Sequence, residues 1–160
     1  MSKIIWDLPT RILHWAMAFP IALNYFLEGG KKNHRYVGYS AAFVLLLRLI
    51  WGFASKGHAH FKNFPMSPKK LFQRNLDYPG HNPQASYVYF GIWAMVLALG
   101  VSGFMTTLDA YWGEEWLEEL HETFGNILLG LIGLHLAGLV VDSLKFKRKT
   151  WKGMITGSRD

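Results

Sequence analysis

Four apolar blocks, residues 12–27, 36–54, 86–108 and 124–141, set the limits on what this chain can fold into. Each is about 16–23 residues long, which at roughly 1.5 Å per residue approaches or matches a hydrocarbon core of about 30 Å. A buried helix of a soluble protein would show polar residues every second turn. These blocks do not. The expectation is an all-α fold, an integral membrane four-helix bundle in which residues 1–160 form a single domain.

Charge placement orients the bundle. The formal net charge is +6, which could suggest nucleic acid, but the basic residues are not spread as a nucleic-acid surface requires. Lys56, Lys62, Lys69, Lys70 and Arg74 fall between the second and third blocks, and Lys145, Lys147, Arg148, Lys149 and Lys152 follow the fourth. Between residues 75 and 144 there is no Lys or Arg, while Asp109, Glu114, Glu115, Glu118, Glu119 and Glu122 cluster between blocks three and four. The positive-inside rule then places both termini and the middle loop in the cytoplasm, with Lys31, Lys32 and Arg35 as a mild exception outside. No nucleic-acid partner is expected.

The chain has no cysteine, which excludes disulfides, thiolate metal sites and covalent haem attachment. The opening "MSKIIWDLPTR" has little of a signal peptide, so the first helix is expected to be retained. Thr10 or Asp7 can cap that helix, Pro9 suits its first turn, and Pro20 is expected to kink it. Residues 55–85, rich in Pro, Gly and Lys, are expected to lie over the inner face. "DAYWGEEWLEEL" reads as an amphipathic outer segment, and Trp151 in the basic tail reads as an interfacial anchor.

The costly residues are histidines. In "LHETFGNILLGLIGLH", His121 and His135 lie fourteen positions apart; at about 100° per residue that returns to the same helix face, roughly 21 Å along the axis. Helix four enters from outside, so His121 is outer and His135 inner. Helix two starts outside at His34, and helix one starts inside near His14. Depth therefore sorts the four into His34 with His121 and His14 with His135. Two imidazoles from facing helices at each of two levels are what two six-coordinate haems need, with no open site at the iron.

Small residues next to these positions would let a flat macrocycle approach: Ala18 after His14, Gly38 after His34, Gly125 after His121 and Gly138 after His135. Such residues also serve close helix packing. Arg48, fourteen after His34 and level with the inner pair, costs several kcal/mol in a membrane unless paired, and a haem propionate would pair it. Arg11 and Arg35 sit beside ligand histidines and can serve propionates at the rims. His58, His60 and His81 lack partners at ligand spacing and are read as solvated loop residues. Asp142 is expected to end helix four in water, with a proton relay as the alternative.

Together "WDLPTRILHW", "HRYVGYSAAFVLLLRLIWGF", "GHNP", "LHETFGNILLGLIGLH" and "MITG" resemble, in this order, the prokaryotic cytochrome b561 family, related to the b-type cytochrome subunits of nickel–iron hydrogenases. The resemblance covers nearly the whole chain. It implies two haem b groups with His14, His34, His121 and His135 as axial ligands, in a bacterial inner membrane. It further implies electron exchange between the quinone pool of a respiratory chain and a periplasmic partner, a c-type cytochrome in some members. One branch of the family oxidises superoxide and reduces ubiquinone, and that reading ranks second. An anchor subunit for a hydrogenase or other periplasmic reductase ranks lower, because hydrogenase-type subunits are longer and carry hydrophobic sequence that this chain lacks. A transporter or metal-binding bundle would need acidic residues within the spans, and these are missing.

Overall fold

The structure is a computed structural model describing residues 5–65 and 82–158. Its long elements are helices α1 (Leu8–Tyr25), α2 (Lys32–Ala54), α3 (Pro83–Met105) and α4 (Glu115–Lys145), followed by a short α5 (Gly153–Thr156). Among the described residues there is no strand, and single 3-10 turns fill several connections.

Local chemistry explains the boundaries. Asp7 caps α1 by accepting a hydrogen bond from the Thr10 amide at 2.8 Å, with proline in the first turn. Asn82 caps α3 in the same way, accepting from the Ala85 amide at 2.6 Å ahead of Pro83. His81 and the basic residues Lys69, Lys70 and Arg74 lie outside the described residues. Helix α4 begins nine residues before the apolar block that marks it, so the second half of "DAYWGEEWLEEL" is its first turns rather than part of a separate segment. Gly113, at φ +76°, ends the preceding turn, and Glu115 and Glu118 occupy the positive end of the α4 dipole. Hydropathy marks where a helix meets lipid; capping and dipole decide where it starts.

Helices α2, α3 and α4 are long and apolar enough to cross a membrane, with mean hydropathies of 1.7, 1.9 and 2.1. Helix α1 is shorter at 18 residues and carries Arg11, His14, Asn24 and two prolines, and it falls outside that set. It nonetheless carries an apolar stripe: Leu8, Ile12, Trp15, Phe19, Leu23 and, just past its end, Phe26 recur at three- and four-residue intervals and are all exposed, with Trp15, Phe19 and Phe26 also bordering the cavity between the hairpins. Phe43, Phe53, Leu136, Val140 and Leu144 are exposed on the other helices. A soluble monomer rarely shows so much contiguous apolar surface. Lipid accounts for it.

The chain packs as two hairpins, α1 on α2 and α3 on α4, joined along α2 and α3. A small core of Met17, Ala41, Leu45, Phe64, Ile92, Trp93, Val96 and Leu128 fills that junction. At the α2–α3 contact a side chain on Gly100 would come within 3.1 Å of Ala42 Cβ, so the helices approach closely there. Helices α1 and α4 are not among the closely packed pairs, and a cavity opens between the hairpins.

One end of the bundle is tied together by both chain termini. The amides of Ile5 and Trp6 donate to the Gly157 carbonyl at 2.8 and 3.1 Å. Arg11 Nη1 donates to the Ile155 carbonyl at 2.6 Å, and Trp15 Nε1 to the Met154 carbonyl at 2.9 Å. Trp51 Nε1 at the end of α2 donates to Asp7 Oδ2 at 3.3 Å. The segments "WDLPTR" and "MITG" thus belong to one clamp. Asp142 does not simply end α4 in water: Arg148 donates to both its oxygens at 2.9–3.1 Å and Thr150 donates a further hydrogen bond. Lys147, at φ +48°, makes the reversal that brings Arg148 back.

Gly52 near the same end has no room for a side chain. A Cβ there would overlap the Phe61 ring, which is wedged among Phe53, Phe64, Phe90 and Trp93. Gly52→Val is expected to lower stability by about 3 kcal/mol, the upper range of overpacking costs. Thermal unfolding in detergent checks it; an unchanged midpoint would mean the aromatic wedge yields freely.

Candidate cofactor site

The cavity between the hairpins has a volume of 1650 Å³ and extends from Thr150 and Met154 at the terminal end to Trp112 and Gly113 at the other. Ordinary small-molecule pockets hold about 300–1,000 Å³. This one is larger than a single such ligand needs.

Two imidazole pairs face each other across it. His14 on α1 meets His135 on α4 with ring centres 6.4 Å apart and planes at 59°. His34 on α2 meets His121 on α4 at 6.2 Å and 62°. All four line the cavity. Two imidazoles bound to opposite sides of one metal, each at about 2.0–2.1 Å, hold their ring centres about 6.3 Å apart. Each pair is spaced for one metal-centred group.

The donor set says what kind of group. Among the described residues no cluster of three or more His, Asp or Glu is present that could hold a bare metal ion. Two nitrogens per level leave the remaining coordination positions to the occupant itself, as a macrocycle supplies them. The polar lining agrees. Asn24 Oδ1, His34 Nδ1 and Arg48 Nη1 are buried without a hydrogen-bond partner among the described residues and belong to residues that line the cavity. An occupant with charged or hydrogen-bonding substituents would satisfy them.

Arg48 is the most costly of these. It is 5% exposed, within electrostatic reach of Asp7 and His14, and its guanidinium carbon sits 5.2 Å from the Trp93 ring centre and 5.8 Å from that of Phe61. Cation–π contacts contribute about 0.5–2 kcal/mol and leave much of the several-kcal/mol cost of an unpaired buried charge standing. Arg35 lines the opposite end of the cavity, whereas Arg11 is engaged with Ile155 and is not in the lining. Ala18, Gly38 and Gly125 line it, and Gly138 does not. His58 packs edge-on against Trp6 and the His60 ring accepts from the Lys62 amide at 3.1 Å, both away from the cavity.

Helix α3 carries no histidine, yet it shapes the site. The buried Ser102 hydroxyl lies 2.8 Å from His121 Nδ1, and Gly103 lets the helix backbone approach so closely that a Cβ there would be 3.1 Å from His121 Cε1. Tyr89 stacks edge-on against His135 at 5.4 Å. No ligand chemistry marks these residues in the sequence, and Ser102 lies nineteen positions before His121, with no periodicity linking them.

The family model for prokaryotic cytochrome b561 matches residues 5–157. The chain belongs to the prokaryotic cytochrome b561 family. It is a membrane b-type cytochrome of electron transfer, and b-type haem is the group its site takes. No curated protein and no solved structure matches the chain.

In this cytochrome no counter-charge among the described residues hydrogen-bonds Arg48 Nη1. Arg48→Met keeps the length and removes the charge, so it is expected to stabilise haem-depleted protein by about 1–4 kcal/mol. Unfolding of the haem-depleted chain in detergent measures this. Lower stability in the variant would mean that the empty chain already neutralises Arg48.

Proposed function

We propose that this cytochrome holds two haem b groups, one between His34 and His121 and one between His14 and His135, and carries electrons between the quinone pool and a periplasmic c-type cytochrome. The observation that carries this reading is the repeated imidazole spacing, 6.2 and 6.4 Å, at two levels of one continuous cavity. Haem, when bound, supplies a reversible one-electron iron couple. The chain's residues do the rest. The paired imidazoles would hold the iron and leave it no open position, which favours electron transfer over oxygen activation. The apolar helices exclude water, and Arg48 at one level and Arg35 at the other offer cations to propionates. Arg11, beside His14 in the sequence, is a further propionate candidate by position, and Ala18, Gly38 and Gly125 are the clearance residues for the macrocycles, Gly138 standing outside the lining.

Four spans in a bacterial inner membrane complete the proposal. The exposed apolar stripe of α1 supports its immersion beside α2. The basic tail, with Lys145, Lys147, Lys149 and Lys152, lies at the clamped end, which supports both termini in the cytoplasm. The acidic start of α4 then faces the periplasm, where Glu114, Glu115, Glu118 and Glu119 would attract a lysine-rimmed partner.

Superoxide oxidation is the second reading. Arg35 lines the cavity near His34, as an anion would want. Against it, Lys31 is paired with Glu28 at 3.5 Å, and Glu118 and Glu122 line the same rim. Superoxide-driven reduction of the haems, lost on changing Lys31, Lys32 and Arg35, would reverse this order.

Alanine at His34 or His121 is expected to reduce haem content from two per chain towards one, and alanine at His14 or His135 to do the same for the other group. Extracted haem per chain, with quinol reduction followed on the optical spectrum, tests this; a colourless wild-type chain or variants that keep both haems would defeat it. Neutralising Glu114, Glu115, Glu118 and Glu119 together is expected to slow transfer to a basic c-type cytochrome several-fold at low salt and little at high salt. Identical rates and salt dependence would remove the docking surface.

A further inference from the structure

The two histidines of the His34/His121 pair are held unequally. His34 Nδ1 is buried and has no hydrogen-bond partner among the described residues. His121 Nδ1 lies 2.8 Å from Ser102 Oγ. The serine hydroxyl has its own acceptor one turn back, donating to the Ala98 carbonyl at 2.8 Å. With its single proton used there, Ser102 Oγ offers lone pairs to His121, so the Nδ1–H donates and Nε2 is left as the lone-pair nitrogen. Gly103 closes the arrangement: its backbone lies against the Cε1 and Nδ1 edge of the ring, where a Cβ would be 3.1 and 3.7 Å away.

We propose that Ser102 is a positioning residue that accepts the Nδ1 proton of His121 and fixes its Nε2 towards His34. This rests on the ligand assignment above. An imidazole whose far N–H is hydrogen-bonded is a more basic, better oriented ligand and favours the ferric over the ferrous ion. Ser102 also removes the rotational freedom that His121 would otherwise lose on binding. It is 3% exposed and on a helix that supplies no ligand, so its effect is exerted through His121 alone.

The test compares wild type with Ser102→Ala and Ser102→Thr, each purified with its haem, by optical redox titration and by the low-spin ferric spin-resonance signals. In Ser102→Ala the ferric preference of one haem is expected to fall about tenfold, an upward shift of about 59 mV for a one-electron couple, with the other haem unmoved. Ser102→Thr, which keeps the hydroxyl, is expected to titrate like wild type. Unchanged potentials in the alanine variant, equal shifts of both haems, or a threonine variant that behaves as alanine would overturn the proposal. Should the alanine variant lose haem, content replaces potential: loss of one haem restored by threonine upholds it, and loss of both or no restoration overturns it. His121→Ala serves as the control. If that variant keeps two haems, the ligand assignment itself has failed, whatever Ser102 does.

Discussion

Four buried polar atoms with no partner among the described residues, Thr10 Oγ1, Asn24 Oδ1, His34 Nδ1 and Arg48 Nη1, belong to side chains that line one cavity. Leaving such a group unsatisfied costs about 1–3 kcal/mol, and more for a charge. Summed over the four, that is comparable to the entire stability of an ordinary domain, about 5–15 kcal/mol. The chain cannot hold this arrangement as an empty bundle on favourable terms. The interior is organised for an occupant that brings its own polar groups, and the rest of the architecture follows from leaving room for it.

The open seam between α1 and α4 is one consequence. Helices elsewhere in the bundle approach through small residues, as at Ala42 and Gly100, but α1 and α4 hold their distance and place imidazoles across the gap. Helix α4 contributes one histidine at each level because fourteen residues bring its face round again. Helices α1 and α2 run in opposite senses, so histidines near their beginnings fall at opposite depths. One ligand helix and one antiparallel hairpin suffice for two levels.

This much was legible in the sequence because it rests on period and direction, both of which a single chain displays. The apolar blocks mark α2 and α3 to within a few residues, and helix direction and depth pair the same histidines that the structure brings together. What escaped depends on contacts without period. Ser102 and Gly103 reach His121 only because α3 packs on α4, and the clamp between Trp6 and Gly157 joins opposite ends of the chain. The first turns of α4 were hidden because glutamates lower hydropathy while favouring a helix N-terminus. Asp142 looked like a solvated terminus because its partners, Arg148 and Thr150, arrive only after a reversal at Lys147 that no pattern announces.

Cofactor and fold are therefore difficult to separate in this cytochrome. Each imidazole pair takes one residue from the α1–α2 hairpin and one from α4, so a metal held between them is a cross-link between hairpins that otherwise meet along α2 and α3. The protein core at that junction is small, and most large apolar side chains face outward to lipid, where their burial adds nothing to helix association. Under the proposed ligation, ligand bonds and the satisfaction of Arg48 and Asn24 would supply much of the force that closes the bundle. Binding free energy in such a site is folding free energy, and the same contacts that would tune an iron potential also decide whether the two hairpins stay together.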